Sequence, residues 1–519
     1  MSKFIILQLA GFGDTLSAIA RLPSVKEKYP QHEIIFYLGG YGKSVQFSKE
    51  QIEREGYKAN IIKNFNFHNQ IQKTKELLEK NLLSEGDILE DWSFCEEIFN
   101  NKTPIFYKYD LKIPYNYKTT INPYDFNLDY TPDKTIAVHP LTKTGNAEGF
   151  ESDLNNGRFW NRDEWKSLCI HICNKGYIPA FVGHGDEDWG LIDELTEEGY
   201  KVLDKRMGIE DTIYFLKTVR AGVFCNSWDW EVTSRAGIPT FCFYTKNNFF
   251  IQNHIPHGPS DFWNNCYIET RRNDLYMNNG DSNISGLNND ISHQTVVDKI
   301  MFLIENKKRP NIVYDICMIS YNDQDHIDKT LDNLSPYIKN KFCVVDGGSK
   351  DDTVDIIKKI IPEESLIIKH IQWNNKFDVQ KNNSIELAEK DWIIFIDADE
   401  TYEDLFWNQI SWYIREAENN DFDCINVSRI NTYYDLDREQ LESFVEKQRW
   451  SCNSFGWVNY PDFQQRVFKK DKRFDGSVHE MIKNYKTQSY LYPVNCIHKK
   501  SINKQIKSFK LYEGIEKND

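Results

Sequence analysis

A chain of 519 residues has room for two or three domains, each with its own core. Its net charge of −15 argues against a nucleic-acid groove, which needs clustered lysine and arginine, and its 40% hydrophobic content is that of a globular protein. Eleven cysteines, an odd number without Cys-x-x-Cys pairs, fit reduced thiols rather than a disulfide framework. Cys169 and Cys173 read as core packing, since two helical thiols alone make a poor zinc site.

In chain order, Phe4–Leu9 reads as a strand that meets Gly11-Phe12-Gly13-Asp14 and then a helical segment with Leu16, Ile19, Ala20 and Leu22. The two glycines and Asp14 break the apolar run, so a strand is expected here rather than a secretory leader. Strand, glycine turn and helix together aim backbone N–H groups at a ligand, although Asp14 also suits a helix cap. Pro23 is expected to kink or end the first turns. A second strand covers Glu33–Leu38, and residues 123–132 form a connector. A second α/β unit follows, with strands at Thr135–His139, Ile178–Val182, Gly222–Cys225 and Pro239–Tyr244 and helices at Asp163–Asn174, Glu210–Val219 and Glu231–Ala236. The pattern predicts twin Rossmann-like lobes, 1–130 and 131–309. Residues 271–292 are rich in Asn, Asp, Ser and Gly and read as a loop, Thr295–Glu305 as a helix, and the next domain begins at 310.

From 310 to 519 the expectation is one nucleotide-binding α/β domain. Strands are predicted at Ile312–Ile319, Lys341–Val345, Leu366–His370 and Trp392–Ile396, and helices from His326, after Asp352 and over Asp378–Ala388. The run Trp392-Ile393-Ile394-Phe395-Ile396 has no helical spacing and reads as a buried parallel strand. It delivers Asp397-Ala398-Asp399 to the carboxyl edge of the sheet, where ligands of such folds sit. Asp-x-Asp also occurs at 186–188, 323–325, 421–423 and 435–437, mostly as solvated loops. Only the copy at 397–399 directly ends a long apolar strand. Its carboxylates suit Mg²⁺ or Mn²⁺ completed by substrate phosphates. Lys499–Lys510 interleaves basic and apolar residues. It reads as a helix packed back on the domain, with peripheral contact to an anionic membrane face as the alternative.

Two resemblances attach to these motifs. Gly11-Phe12-Gly13-Asp14, Pro23, Lys26 and Tyr29-Pro30, then His139-Pro140, Trp160, Trp165, Gly183, Asn226-Ser227 and Ala236-Gly237-Ile238-Pro239, resemble the heptosyltransferase-like glycosyltransferases of the GT-B fold. That resemblance implies a metal-independent transfer with Asp14 as general base, Lys143 or Arg158 at a donor diphosphate and Glu231 at its ribose. The segment Asn226-Ser227-Trp228-Asp229-Trp230-Glu231 departs from the Asp-Ser-Gly and nearby His usual in that family. A non-catalytic lobe pair that binds acceptor or a partner is the alternative.

Residues 312–400 resemble the family 2 glycosyltransferases of the GT-A fold. By that resemblance Tyr321, Asn322 and Asp346 surround the nucleotide, Lys381 lies near the diphosphate, Asp397 near the ribose and metal, and Asp399 on the metal. Asp346 also suits a purely structural role in its Asp-Gly-Gly-Ser turn. Tyr460 to Phe468, with Phe474-Asp475-Gly476-Ser477-Val478-His479-Glu480, resembles the subgroup that builds lipopolysaccharide cores and related glycans. It implies His479 as third metal ligand and Glu480 as general base. The expectation is thus a cytoplasmic, at most membrane-peripheral, bifunctional enzyme. It would move sugars from nucleotide-sugar donors to a glycan or glycolipid acceptor, with Mn²⁺ or Mg²⁺ in its second half only.

Overall fold

The computed structural model describes residues 2–9, 12–39, 42–62, 83–92, 109, 115, 117–121, 130–140, 160–183, 185, 187–225, 227–244, 261–270, 292–306, 310–452, 456–478, 480–486 and 488–516. The chain divides into two compact units, the described residues of the first falling within 1–308 and those of the second within 309–519.

The first unit carries two separate sheets. One has strands β1 (Lys3–Leu9), β2 (Glu33–Gly39), β3 (Lys58–Ile61) and β4 (Ile88–Asp91), parallel throughout, in the order β3-β2-β1-β4. Helices α1 (Phe12–Ile19), α2 (Leu22–Lys28) and α3 (Gly42–Arg54) belong to it. Pro23 starts α2 rather than kinking α1, because its missing N–H costs nothing in a first turn. The other sheet has β5 (Thr135–His139), β6 (Ile178–Phe181), β7 (Leu203–Asp204), β8 (Ala221–Phe224), β9 (Thr240–Tyr244) and β10 (Cys266–Thr270). It too is parallel, in the order β10-β9-β8-β5-β6-β7. Its helices are α4 (Arg162–Asn174), α5 (Leu191–Glu197), α6 (Ile209–Leu216), α7 (Trp228–Arg235) and α8 (His293–Asn306). Every residue of β5 and β8 is buried, as expected of strands covered on both faces by helices.

The second unit is built on one eight-stranded sheet, β13-β12-β11-β14-β17-β16-β20-β15. The parallel half holds β11 (Asp315–Ser320), β12 (Phe342–Asp346), β13 (Leu366–His370) and β14 (Trp392–Asp397), crossed over by α9 (Ile327–Leu334), α10 (Thr353–Ile360) and α11 (Phe377–Glu386). After β14 come β15 (Glu400–Tyr402), α12 (Asp404–Asn419), β16 (Cys424–Tyr433), α13 (Arg438–Gln448) and β17 (Val458–Lys469). A two-stranded ribbon, β18 (Arg473–Asp475) and β19 (Met481–Lys483), precedes β20 (Gln488–Lys500) and α14 (Ile502–Glu516). β17 pairs antiparallel with both β14 and β16, so the nucleotide-binding half and the C-terminal half share one sheet. Ile393, Ile394, Phe395 and Ile396 of β14 are fully buried, which stabilises the unit by about 1.5–3 kcal/mol for each such side chain.

Candidate active site

β14 is central, and its carboxyl end opens into a pocket of about 1490 Å³ in the second unit, bordered by Asp397, Asp399, Lys381, Arg466, Glu480 and His498 among others. That exceeds the ~300–1,000 Å³ usual for one small ligand and leaves room for two. The strand ends at Asp397, the chain turns through Ala398 and Asp399, and β15 begins at Glu400. Thr330 of α9 holds the turn by donating to the Ala398 carbonyl at 2.9 Å. Asn333, one helical turn on, clamps β15, donating to the Tyr402 carbonyl and accepting from the Tyr402 N–H, both at 2.8 Å. The metal-type triplet is therefore held by a rigid helix as well as by the sheet.

Asp397 faces cations. The Arg466 guanidinium, only 2% exposed, bonds both Asp397 and the buried Glu400. Lys381 Nζ lies 3.5 Å from Asp397, pairs with Glu480, and sits 4.9 Å from each ring centre of Phe395 and Phe474. Burial pushes the Asp397 carboxyl up, but the Arg466 and Lys381 charges outweigh it and hold the group well below the usual carboxylate range. Asp399 is held otherwise: its Oδ2 receives His498 Nε2 at 3.0 Å and Lys504 Nζ at 2.8 Å. There too burial is outweighed, here by His498 and Lys504. His498 stands opposite Asn431 in the β16–β20 register, and the Asn431 side-chain oxygen fixes its Nδ1 at 3.0 Å. Arg429 closes the network, bridging Glu400 at 3.4 Å and Asp462 at 2.6 Å.

The loops after β11 and β12 stand beside the pocket and border it through Tyr321 and Gly347. Tyr321 is 43% exposed and borders the pocket. A Cβ at Gly347 would come within 3.3 Å of its side chain, so glycine lets the two loops approach. Asn322, at φ 55°, receives the Lys350 N–H at 2.9 Å and donates its own N–H to Ser349 Oγ at 2.9 Å. Asp346 behaves as a turn residue. It is 1% exposed, and its carboxylate accepts from the Gly348 and Ser349 N–H groups, the Ser349 hydroxyl and His370. Burial raises its pKa, and those bonds more than reverse the effect.

The structure thus brings Tyr321, Lys381, Asp397, Asp399 and Glu480 to one pocket. His479, Lys143 and Arg158 lie outside the described residues, as does the side chain of Asp14, whose backbone is in α1. Sequence reasoning assigned no role to Arg466, Arg429, Asp462, His498 or Lys504. One signal was present: Asp462, Gln464 and Arg466 alternate with period two, which in a strand puts all three on one face. The imidazole on Asp399 is His498, nineteen residues beyond the histidine expected from the motif.

Glu231 is placed differently from the expectation. It is 3% exposed and paired at 3.0 Å with the buried Arg235, whose guanidinium reaches the Leu16 carbonyl and Ser17 Oγ of α1. It is a tie between the two sheets of the first unit rather than a group free to meet a ribose. At the carboxyl ends of β5 and β6 stands a second closed cluster. His139 contacts Asp229 through Nδ1 and Glu187 through Nε2, the latter at 3.2 Å, while Ser227 Oγ donates to Asp229 at 2.8 Å. Burial disfavours the charged imidazole, but Asp229 above all holds the His139 pKa well above its ordinary value. Gly183, at φ +117°, is required there, because a Cβ would lie 2.5 Å from His139 Nε2 and 2.7 Å from Glu187. Asp229 and Glu231 thus both stand in the first turn of α7, where a Rossmann-like lobe would present its N–H groups to a phosphate.

The fold and pocket of the second unit define a GT-A-like nucleotide-binding domain, preceded by a unit of two Rossmann-like sheets in the GT-B manner. Residues 315–486 match the model of the family "Glycosyl transferase family 2". Among curated proteins, the chain is 37% identical over 116 residues to the SPbeta prophage-derived glycosyltransferase SunS of Bacillus subtilis (strain 168), covering 22% of this chain and 27% of that one. It is 30% identical over 100 residues to a poly-beta-1,6-N-acetyl-D-glucosamine synthase of Staphylococcus aureus (strain MSSA476), covering 18% and 24%. The chain spans about a quarter of the length of these curated relatives. Among solved structures, E. coli ADP-heptose lps heptosyltransferase II aligns over 59% of this chain and 99% of its own at 13% identity and TM-score 0.38. S. aureus TarS 1-349 in complex with UDP-GlcNAc aligns over 36% and 59% at 14% identity and TM-score 0.27.

Proposed function

We propose that the protein is a glycosyltransferase whose second unit moves a sugar from a nucleotide-sugar donor to a hydroxyl of a glycan or glycolipid. The observation that carries this is the convergence of Asp397, Asp399, Lys381 and Glu480 on one large pocket at the end of β14, inside the matched segment. Tyr321 and the loops after β11 and β12 would take the nucleoside. Glu480, whose Oε1 is held by Lys381, would accept the acceptor proton as that oxygen attacks the anomeric carbon. The bond to the diphosphate breaks as the new bond forms, so the sugar inverts and a nucleoside diphosphate leaves. Lys381, fixed between Asp397 and Glu480, would place positive charge beside the leaving group.

Among the described residues no group of three or more His, Cys, Asp or Glu is arranged to hold a metal ion, so a divalent cation would draw two ligands from the chain and the rest from the donor diphosphate and water. The Asp399 carboxylate oxygen and the buried His498 Nε2 are 3.0 Å apart, and a carboxylate with an imidazole suits Mn²⁺. Asp399 and His498 would hold it, with Asp397 alongside. A bound cation supplies neutralisation of the charge on the departing diphosphate. The resemblance of residues 460–480 to lipopolysaccharide-core enzymes supports a surface glycan as acceptor.

For the first unit, the geometry favours a binding module over a second transferase. Its own carboxylates, Asp229 and Glu231, take the first turn of α7, and His139 is enclosed between Asp229 and Glu187. Asp14→Asn decides between the readings: an unchanged product pattern supports a binding module, and loss of one of two products supports bifunctionality. The second unit is tested by the product itself. Release of nucleoside diphosphate supports sugar transfer, and release of pyrophosphate would make it a nucleotidyltransferase.

A further inference from the structure

The last helix, α14, forms one wall of the pocket. Lys504, Gln505, Ser508, Phe509 and Tyr512 all border it, and their spacing puts them on a single helical face. Phe509 packs on Trp450 with ring centres 5.8 Å apart, and Tyr512 on Phe377 at 6.0 Å. The helix is thus seated over the site by aromatic contacts, and Lys504 reaches from it to the Asp399 oxygen that His498 also contacts. The ammonium lies as well 3.0 Å from His326 Nε2, which is itself 3.0 Å from Asp323 Oδ1.

Four carboxylates around it each have a cationic side chain of the chain beside them. Asp397 has Arg466 and Lys381, Glu480 has Lys381, Asp462 has Arg429, and Asp399 has Lys504. These cations are not equally fixed. The side chains of Arg466 and Lys381 are 2% and 6% exposed and each pairs with two carboxylates, whereas that of Lys504 is 37% exposed. A divalent cation seated between Asp399 and His498 would need the oxygen that Lys504 holds. Two cations at one oxygen repel, and Lys504 is the one able to leave.

We propose that Lys504 is a stand-in for the metal: its ammonium neutralises Asp399 in the unloaded enzyme, yields that oxygen to the incoming cation, and then pairs with the donor diphosphate. The inference rests on the glycosyl-transfer reading and adds to it a residue that couples metal to donor. The diphosphate brings the negative charge that the displaced ammonium requires, so metal and donor favour each other's binding, and α14 moves with the exchange. No bond is made or broken in this step.

The test is calorimetric titration of the full chain with Mn²⁺ alone, then of the Mn²⁺-saturated protein with inorganic pyrophosphate as the diphosphate probe. Lys504→Met, of similar length and uncharged, is expected to bind Mn²⁺ on the order of tenfold tighter than the parent, and pyrophosphate on the order of tenfold more weakly, as for an ordinary two-site coupling. Lys504→Arg should keep both parent affinities within about threefold, far below that coupling. Lys504→Gln repeats the test with a polar side chain should Lys504→Met fold poorly. Equal or weaker Mn²⁺ binding by the uncharged variants would overturn the stand-in role and leave the transferase reading in place. Absence of Mn²⁺ binding in parent and variants alike would overturn the metal reading and the stand-in with it.

Discussion

Asp397 and Asp399 are two residues apart but are held by different machinery. Asp397 is locked by Arg466 and Lys381, deep in the sheet, whereas Asp399 meets His498 and Lys504 at the pocket wall. Replacing them should therefore have different consequences. Asp399→Asn is expected to leave the melting temperature nearly unchanged and to lower turnover by about 10³, the scale of losing one preorganised charge contact in a transition state. Arg466→Ala should instead destabilise the unit by about 3–5 kcal/mol, because it leaves Asp397 and Glu400 buried without their shared cation. Chemical denaturation separates the two. Asp346 offers a pH test. Its folded pKa is depressed, so the stability it contributes is complete above the unfolded value of about 3.9 and is lost as pH falls through the folded value. Asp346→Ala should cost about 2 kcal/mol at neutral pH, as expected for hydrogen bonds to a charged group, with the deficit narrowing below about pH 4. A deficit of equal size at all pH values would contradict that role.

At the level of elements, the parallel half of the second unit was legible because its strands are short apolar runs ending in polar loops. Ile316 to Met318, Phe342 to Val345 and Ile393 to Ile396 are all buried, and each strand delivers its loop to the same edge. The mixed half was not legible. β16, β17 and β20 each turn one face to the pocket, so their buried positions include Asn426, Arg466 and His498, polar residues that periodicity counts as solvent-facing. Arg466 is paired with Asp397 and Glu400, and His498 with Asp399 and Asn431, partners that only the register of non-adjacent segments brings together. The helix expected over Lys499–Lys510 begins at Ile502, since β20 runs on to Lys500, and it packs back on its own unit. In the first unit Glu231 illustrates the opposite error, a carboxylate read as a ligand that is spent on Arg235. Glu231→Ala should lower the stability of that unit by about 3–5 kcal/mol, the cost of stranding a buried charge. A Glu231→Ala protein of unchanged melting temperature, with impaired nucleotide binding, would restore the ribose role.

Among the described residues, the side chains on which the proposed transfer rests lie in the second unit. There the Asp399–Lys504 pair and the Asp397–Arg466 pair, with its buried guanidinium, border a single pocket. In the first unit the positions that a phosphate would need are filled from within, by Asp229 against His139 and by Glu231 against Arg235. No described helix is long and apolar enough to cross a membrane. On the proposed reading, sugar transfer belongs to the second unit and substrate or partner binding to the first. The most direct test is release of nucleoside diphosphate from a panel of nucleotide-sugars, with Mn²⁺ or with chelator, by the full chain and by its Asp399→Asn and Asp14→Asn variants. The account predicts one donor consumed only with metal, lost in Asp399→Asn and retained in Asp14→Asn. Turnover that survives Asp399→Asn, or a second donor consumed in chelator and lost only in Asp14→Asn, would contradict it.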